Sequence, residues 1–197
     1  KVNIEEINII RNLSEPFVTS QIIETFKQEI NYLSLKDMGF KEGIDATSIS
    51  DTKPYLSSRK KIYYSPKKSV FNLVAGDSKF EIEFCKYLDS FEDVIGFFKN
   101  DIQLKQYIEY VKHDGKIGSY YPDFFIKLQN GERWVVETKG AENLNDPLKY
   151  KRLETWCEDA TKSQNISWNC FYLRQEQWNG LKIKPDRFLD LVNLLDN

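Results

Sequence analysis

The sequence predicts an α/β fold, and three observations carry that prediction. Residues 124–136 read as a hairpin of two apolar strands. An amphipathic helix with its own capping residues precedes it at 77–88, and a helix and a further strand follow it at 146–161 and 167–173. With 197 residues and 41% hydrophobic content, the chain is long enough for one sizeable core with a small appendage.

Taken in order, residues 1–12 carry Val2, Ile4, Ile7, Ile9 and Ile10, too short a stretch to assign. Thr19 or Ser20 can cap a helix running to about Leu33, whose stripe of Ile22, Ile23, Phe26, Ile30 and Leu33 suits core or inter-domain packing. Residues 41–60 are rich in Gly, Ser, Thr and Asp and read as a long connection. Lys61–Tyr64 and Val70–Val74 read as short strands, as do Val94–Phe98 and Tyr107–Val111. Pro147 falls in the first turn of the 146–161 helix, where its missing N–H goes unneeded. Residues 185–195 close the chain as an amphipathic helix. The sequence contains no internal repeat, no low-complexity stretch, no apolar run of membrane-spanning length and no signal-peptide pattern. It opens at Lys1 in mid-pattern and reads as part of a longer polypeptide.

The hairpin carries the chemistry. Phe124-Phe125-Ile126-Lys127-Leu128 and Trp134-Val135-Val136 flank Gln129-Asn130-Gly131-Glu132, a turn signal. A two-residue Asn-Gly loop would pair 129 with 132 and turn Glu137 away from Asp123. A three-residue loop over 129–131, with Gly131 in the left-handed region, pairs 128 with 132 and sets Asp123 opposite Glu137. The second register leaves Phe124, Ile126, Leu128, Trp134 and Val136 on one apolar face. Asp123, Glu137 and, by period-2 alternation, Lys139 fall on the other, so the sequence favours it. Two carboxylates and an ammonium so placed suit Mg²⁺ and a phosphodiester. Acid-x-Lys triplets also occur at Asp51-Thr52-Lys53, Asp77-Ser78-Lys79 and Asp114-Gly115-Lys116, but in polar or turn-like contexts.

A third acid lies upstream. Apolar residues at 80, 84, 87 and 88 have helical spacing, and Ser78-x-x-Glu81 is a capping box. Glu81 can therefore satisfy first-turn amides, or it can point at a metal from the adjoining helix. Glu83, two positions on, faces elsewhere.

With Asp77-Ser78, Glu81 and Phe84 on a helix, then Tyr120-Tyr121-Pro122-Asp123, then Glu137-Thr138-Lys139-Gly140, residues 70–175 resemble the PD-(D/E)xK nucleases. More narrowly, they resemble the C-terminal endonuclease domain of the restriction subunit of type III restriction-modification enzymes. The resemblance implies a restriction-endonuclease-like core of helix, three strands, helix and strand, with a mixed central sheet flanked by helices. Residues 66–197 would be the endonuclease domain and 1–65 an N-terminal extension connecting to an upstream ATP-dependent, helicase-like motor. It further implies double-stranded DNA as substrate, a methyltransferase subunit that supplies sequence recognition, and a bacterial or archaeal cytoplasm. Asp123 and Glu137, with the Thr138 carbonyl, would hold Mg²⁺, for which Mn²⁺ can substitute. The ion would polarise the phosphate and acidify a water, Lys139 would stabilise developing charge, and Glu81 could hold a looser second ion. No Walker-type Gly-rich loop is present in the sequence, so the motor comes from the resemblance alone.

Lys149 and Lys151, on the following helix, are candidate contacts to the DNA backbone, or solvent-facing lysines. Tyr120 and Tyr121 either line the cleft or pack the strand start. Trp156, Trp168 and Trp178 lack the interleaving of a base-stacking platform and suit core packing. The net charge of −2 confines any basic rim to local clusters at Arg59-Lys60-Lys61, Lys67-Lys68 and Lys149-Lys151-Arg152. Cys85, Cys157 and Cys170 show no paired spacing and read as buried thiols of a reducing compartment, and the lone His113 as a loop residue. Two other readings stand beside the DNA nuclease. One is a non-catalytic docking domain that uses residues 1–75 as an interface; the other is a nuclease of the same fold acting on RNA or damaged DNA.

Overall fold

The computed structural model describes residues 13, 15–37, 62–101, 104 and 106–195. The readings of residues 1–12 and 41–60, and the Arg59-Lys60-Lys61 cluster, lie outside them. In chain order the elements are α1 (Pro16–Asp37), β1 (Ile62–Tyr64), β2 (Val74–Gly76), α2 (Lys79–Ser90), β3 (Val94–Lys99), β4 (Ile108–Val111), β5 (Ile117–Tyr120), β6 (Phe124–Leu128), β7 (Arg133–Lys139), α3 (Asp146–Gln164), β8 (Trp168–Arg174), α4 (Gln175–Gly180) and α5 (Phe188–Leu195).

The centre is a mixed four-stranded sheet in the order β3-β6-β7-β8. The first two pairings are antiparallel and β7–β8 is parallel, with α3 as the crossover between its strands. Helices flank the sheet on both faces, and the chain is mixed α/β. The β4–β5 hairpin interrupts the run between β3 and β6, and β1 pairs with β2 apart from the main sheet. The outer edge of β3 is partly covered: Val70 N–H donates to the Phe97 carbonyl at 2.9 Å and Phe97 N–H to the Lys68 carbonyl at 3.2 Å.

The β6–β7 turn sets the position of the site. Gly131 adopts φ +94°, and its N–H donates to the Leu128 carbonyl at 3.1 Å. That is the three-residue loop with a left-handed glycine, and Leu128 N–H then meets the Glu132 carbonyl at 3.0 Å. Phe124 pairs with Val136 and Lys127 with Arg133, so the register extends to Asp123 opposite Glu137.

Parity decides what each face buries. Phe124, Ile126, Leu128 and Val136 join Phe84, Leu88, Trp178, Phe188 and Leu191 in the larger core, with Trp134 packed against it. Phe84 meets Phe124 edge-on at 5.3 Å and Trp178 at 5.9 Å. The face expected to be polar and reactive is only partly so. Val135 is fully buried there against Leu153 and Cys157 of α3, with Phe125, Trp156 and Trp168 around them. Polar character is thus confined to the strand ends beyond α3. Helix α3 has Pro147 in its first turn, and Asn165 closes it at φ 52° with its N–H on the Thr161 carbonyl.

Several boundaries differ from the sequence reading. The first helix starts at Pro16, so Thr19 and Ser20 lie inside it; their hydroxyls bond back to the Leu13 and Phe17 carbonyls rather than capping. Its apolar stripe is not part of the described core: Ile23, Phe26, Ile30 and Leu33 are exposed. The strand read at Val70–Val74 forms instead at Val74–Gly76, packed beside α2, which means that Asp77-Ser78-Lys79 does follow a buried strand. Strand β5 and helix α4 form where the sequence predicts no element, and the last helix begins at Phe188 rather than Pro185. Trp178 is fully buried, whereas Trp156 and Trp168 are half-buried and meet edge-on at 5.2 Å. Cys85 and Cys157 are buried free thiols, Cys170 is half-buried, and His113 sits exposed in the β4–β5 turn.

Candidate active site

Beyond the start of β6 at Phe124, which pairs with Val136, β7 runs on for three more residues, and this overhang organises the site. Asp123 turns its side chain onto the overhang: its Oδ2 accepts from Thr138 N–H at 2.8 Å and from Thr138 Oγ1 at 2.6 Å. Its carbonyl accepts from Asn100 N–H at 2.7 Å, continuing the bonding between β3 and β6 past the strand ends. Glu137 is buried at 8% exposure, and its Oε2 accepts from the Tyr120 hydroxyl at 3.0 Å. Among the described residues, the second oxygen of each carboxylate takes no hydrogen bond.

Both acids are held against ionisation. Burial raises the Asp123 carboxyl above its ordinary value and Glu81 adds to the rise, while Lys99 and the two Thr138 bonds oppose it. Glu137 is pushed to about 8, first by burial and then by the charge of Asp123, against Tyr120, Lys139 and Lys149. Tyr120 is raised in turn by burial and by Glu137.

Beyond Glu137, Lys139 is held by Asp146 at the start of α3, with Nζ 3.0 Å from Oδ1. Lys149 reaches the same oxygen at 3.2 Å and lies 5.8 Å over the Tyr120 ring. Asp146 itself is 3% exposed. Burial works to raise its pKa, but the Asn143 N–H at 2.7 Å and the two lysines outweigh that and hold it low. Of the two lysines proposed for the DNA backbone, Lys149 thus joins the site while Lys151 is exposed. Tyr121 lies at 36% exposure against Tyr107, ring centroids 5.6 Å apart.

Glu81 lies in the first turn of α2, behind the N-cap Ser78. Its N–H donates to Ser78 Oγ at 3.1 Å, Ser78 Oγ lies 3.0 Å from its Oε1, and Asp77 N–H donates to its Oε2 at 3.1 Å. Its third partner was not read from the sequence. Lys99, 9% exposed at the end of β3, places Nζ 3.2 Å from Oε2. Burial pulls the Lys99 ammonium down, yet Glu81, Asp123 and Asp77 outweigh it and the net direction is up. A signal for it existed, since period-2 alternation from the buried Phe97 places a lysine inward at 99. The sequence marks Asp146 only as a helix start, and it does not choose between cleft and packing for Tyr120.

No group of three or more His, Cys, Asp or Glu side chains converges as a metal site among the described residues. The pair Asp123 and Glu137 nonetheless fits a divalent cation of the Mg²⁺ type. It offers hard oxygens, Mg²⁺ commonly takes only one or two carboxylates, and a cation would favour the ionised form of two acids that burial first, and then a neighbouring carboxylate, raises. The chain matches no protein-family model, and no curated protein or solved structure is significantly similar to it. No helix among the described residues is long and apolar enough to cross a membrane.

Proposed function

We propose that this chain is a metal-dependent nuclease domain with a restriction-endonuclease-like core that hydrolyses DNA phosphodiester bonds. The observation that carries this reading is the pairing of Asp123 with Glu137 across one register, with Lys139 two residues further along the same strand. The motif resemblance narrows it to the endonuclease domain of a type III restriction enzyme. Double-stranded DNA, an upstream helicase-like motor, a methyltransferase subunit and a bacterial or archaeal cytoplasm rest on that resemblance alone.

Asp123 and Glu137 would hold Mg²⁺ or Mn²⁺ through the oxygens that Thr138 and Tyr120 leave free. When bound, such an ion supplies Lewis-acid polarisation of a phosphodiester and acidifies a water for in-line attack. The remaining work falls to side chains. Thr138 fixes the Asp123 carboxylate through two bonds, and Tyr120 fixes Glu137. Asp146 holds Lys139 and Lys149 together, so two ammonium groups stand beside the acids without closing on them. A phosphate entering there would draw Lys139 from Asp146, and its charge would stabilise the negative charge that builds on the phosphoryl oxygens. Lys149 would neutralise the flanking backbone.

The docking-domain reading draws on one observation, the exposed stripe of α1 formed by Phe17, Ile23, Phe26, Ile30 and Leu33. Calorimetry separates the two. Mn²⁺ should bind the unmodified chain, and Asp123→Ala and Glu137→Ala should each abolish the heat while the circular dichroism spectrum stays unchanged. Equal heats from all three proteins would remove the nuclease reading and leave docking.

A further inference from the structure

Lys99 is a buried lysine with no part in the machinery described above. It lies where β3 pairs with β6, opposite Phe124 and therefore one residue from Asp123. Taking an ammonium out of water costs several kcal/mol unless good partners replace the water. Capping gives no reason for that cost, because Ser78 and Asp77 N–H already engage both Glu81 oxygens. What Lys99 adds is a positive charge fixed among acids, 3.2 Å from Glu81 and within the field of Asp123 and Asp77.

We propose that Lys99 is a resident cation standing where a second divalent ion would otherwise bind, so that the centre takes a single metal ion on Asp123 and Glu137. This rests on the nuclease reading. The donor count at Glu81 supports it: Oε2 carries an ammonium and a backbone N–H, and Oε1 faces a hydroxyl. An ion arriving at Glu81 would have to expel a charge-assisted bond and leave Lys99 buried without its partner. Glu81 is then a positioning residue that orients Lys99, not a metal ligand.

Titration with Mn²⁺ tests this, counting bound ions from the paramagnetic resonance of free Mn²⁺ and reading spin coupling among bound ones. The unmodified chain should bind one uncoupled ion. Lys99→Gln should bind two coupled ions, and Glu81→Gln added to it should return the count to one. Two ions on the unmodified chain would overturn the proposal whether or not the variant folds, as would a folded Lys99→Gln that still binds one. An unmodified chain that binds no ion, or binds equally after Asp123→Ala, would overturn the nuclease reading itself, a result distinguishable from either of those.

Discussion

Replacing Glu137 by Gln should stabilise the cation-free protein at alkaline pH, the reverse of what disturbing a buried hydrogen bond ordinarily does. Its carboxyl is pushed from 4.5 to about 8, first by burial and then by Asp123. A carboxyl whose folded-state pKa exceeds its unfolded value favours folding in full below the unfolded value. That contribution is lost as pH climbs toward the folded one. At about 1.36 kcal/mol per unit, the whole interval corresponds to roughly 5 kcal/mol, of which roughly 3 kcal/mol is lost between about pH 5.5 and about pH 8.5. Asp123 is shifted in the same direction and deepens the loss. Glutamine cannot ionise and keeps an oxygen for the Tyr120 hydroxyl. Urea unfolding in the presence of a chelator, followed by near-ultraviolet circular dichroism at those two pH values, measures the difference. The unmodified chain should lose several kcal/mol on going to the higher pH, and Glu137→Gln should lose much less and be the more stable protein there. An unchanged pH slope in the variant would refute the argument, since it would mean that Glu137 ionises as freely folded as unfolded.

Two further outcomes follow from other parts of the same geometry. Asp146→Asn leaves Lys139 and Lys149 adjacent without the buried carboxylate between them, and should cost on the order of 3 kcal/mol in urea unfolding at neutral pH. Because the folded Asp146 carboxyl is held low, that cost should shrink as pH falls below the ordinary aspartate value of 3.8 and through the folded one. Gly131→Ala meets no neighbouring atom within 4 Å, so only the left-handed backbone resists it. A loss of about 1 kcal/mol is expected with Mn²⁺ affinity unchanged, and a much larger loss would show that the turn does more than set the register.

Local rules made the hairpin legible. Gly131 supplies a conformation that other residues resist, and the pleat alternates strictly, so one turn type places Asp123 opposite Glu137 and sends Phe124 and Val136 to the core. Ser78 and Glu81 were readable for the same reason, since a helix start must satisfy its own free amides. The same logic misplaced the start of α1, where Thr19 and Ser20 have capping chemistry but bond backwards, to the Leu13 and Phe17 carbonyls. It also missed β5, whose Ile117-Gly118-Ser119-Tyr120 has a weak apolar pattern and forms against β4.

Sequence by itself therefore determined the two strands, their register, the capped helix and which acids share a face, because these depend on neighbours a few residues away. Tertiary structure alone decided the partners of those acids. Lys99 meets Glu81 across 18 positions, Tyr120 meets Glu137 across 17, and Asp146 gathers Lys139 and Lys149 only because α3 starts beside the end of β7. Burial and the charges brought together by folding set how strongly each acid holds its proton, and no spacing along the chain encodes either.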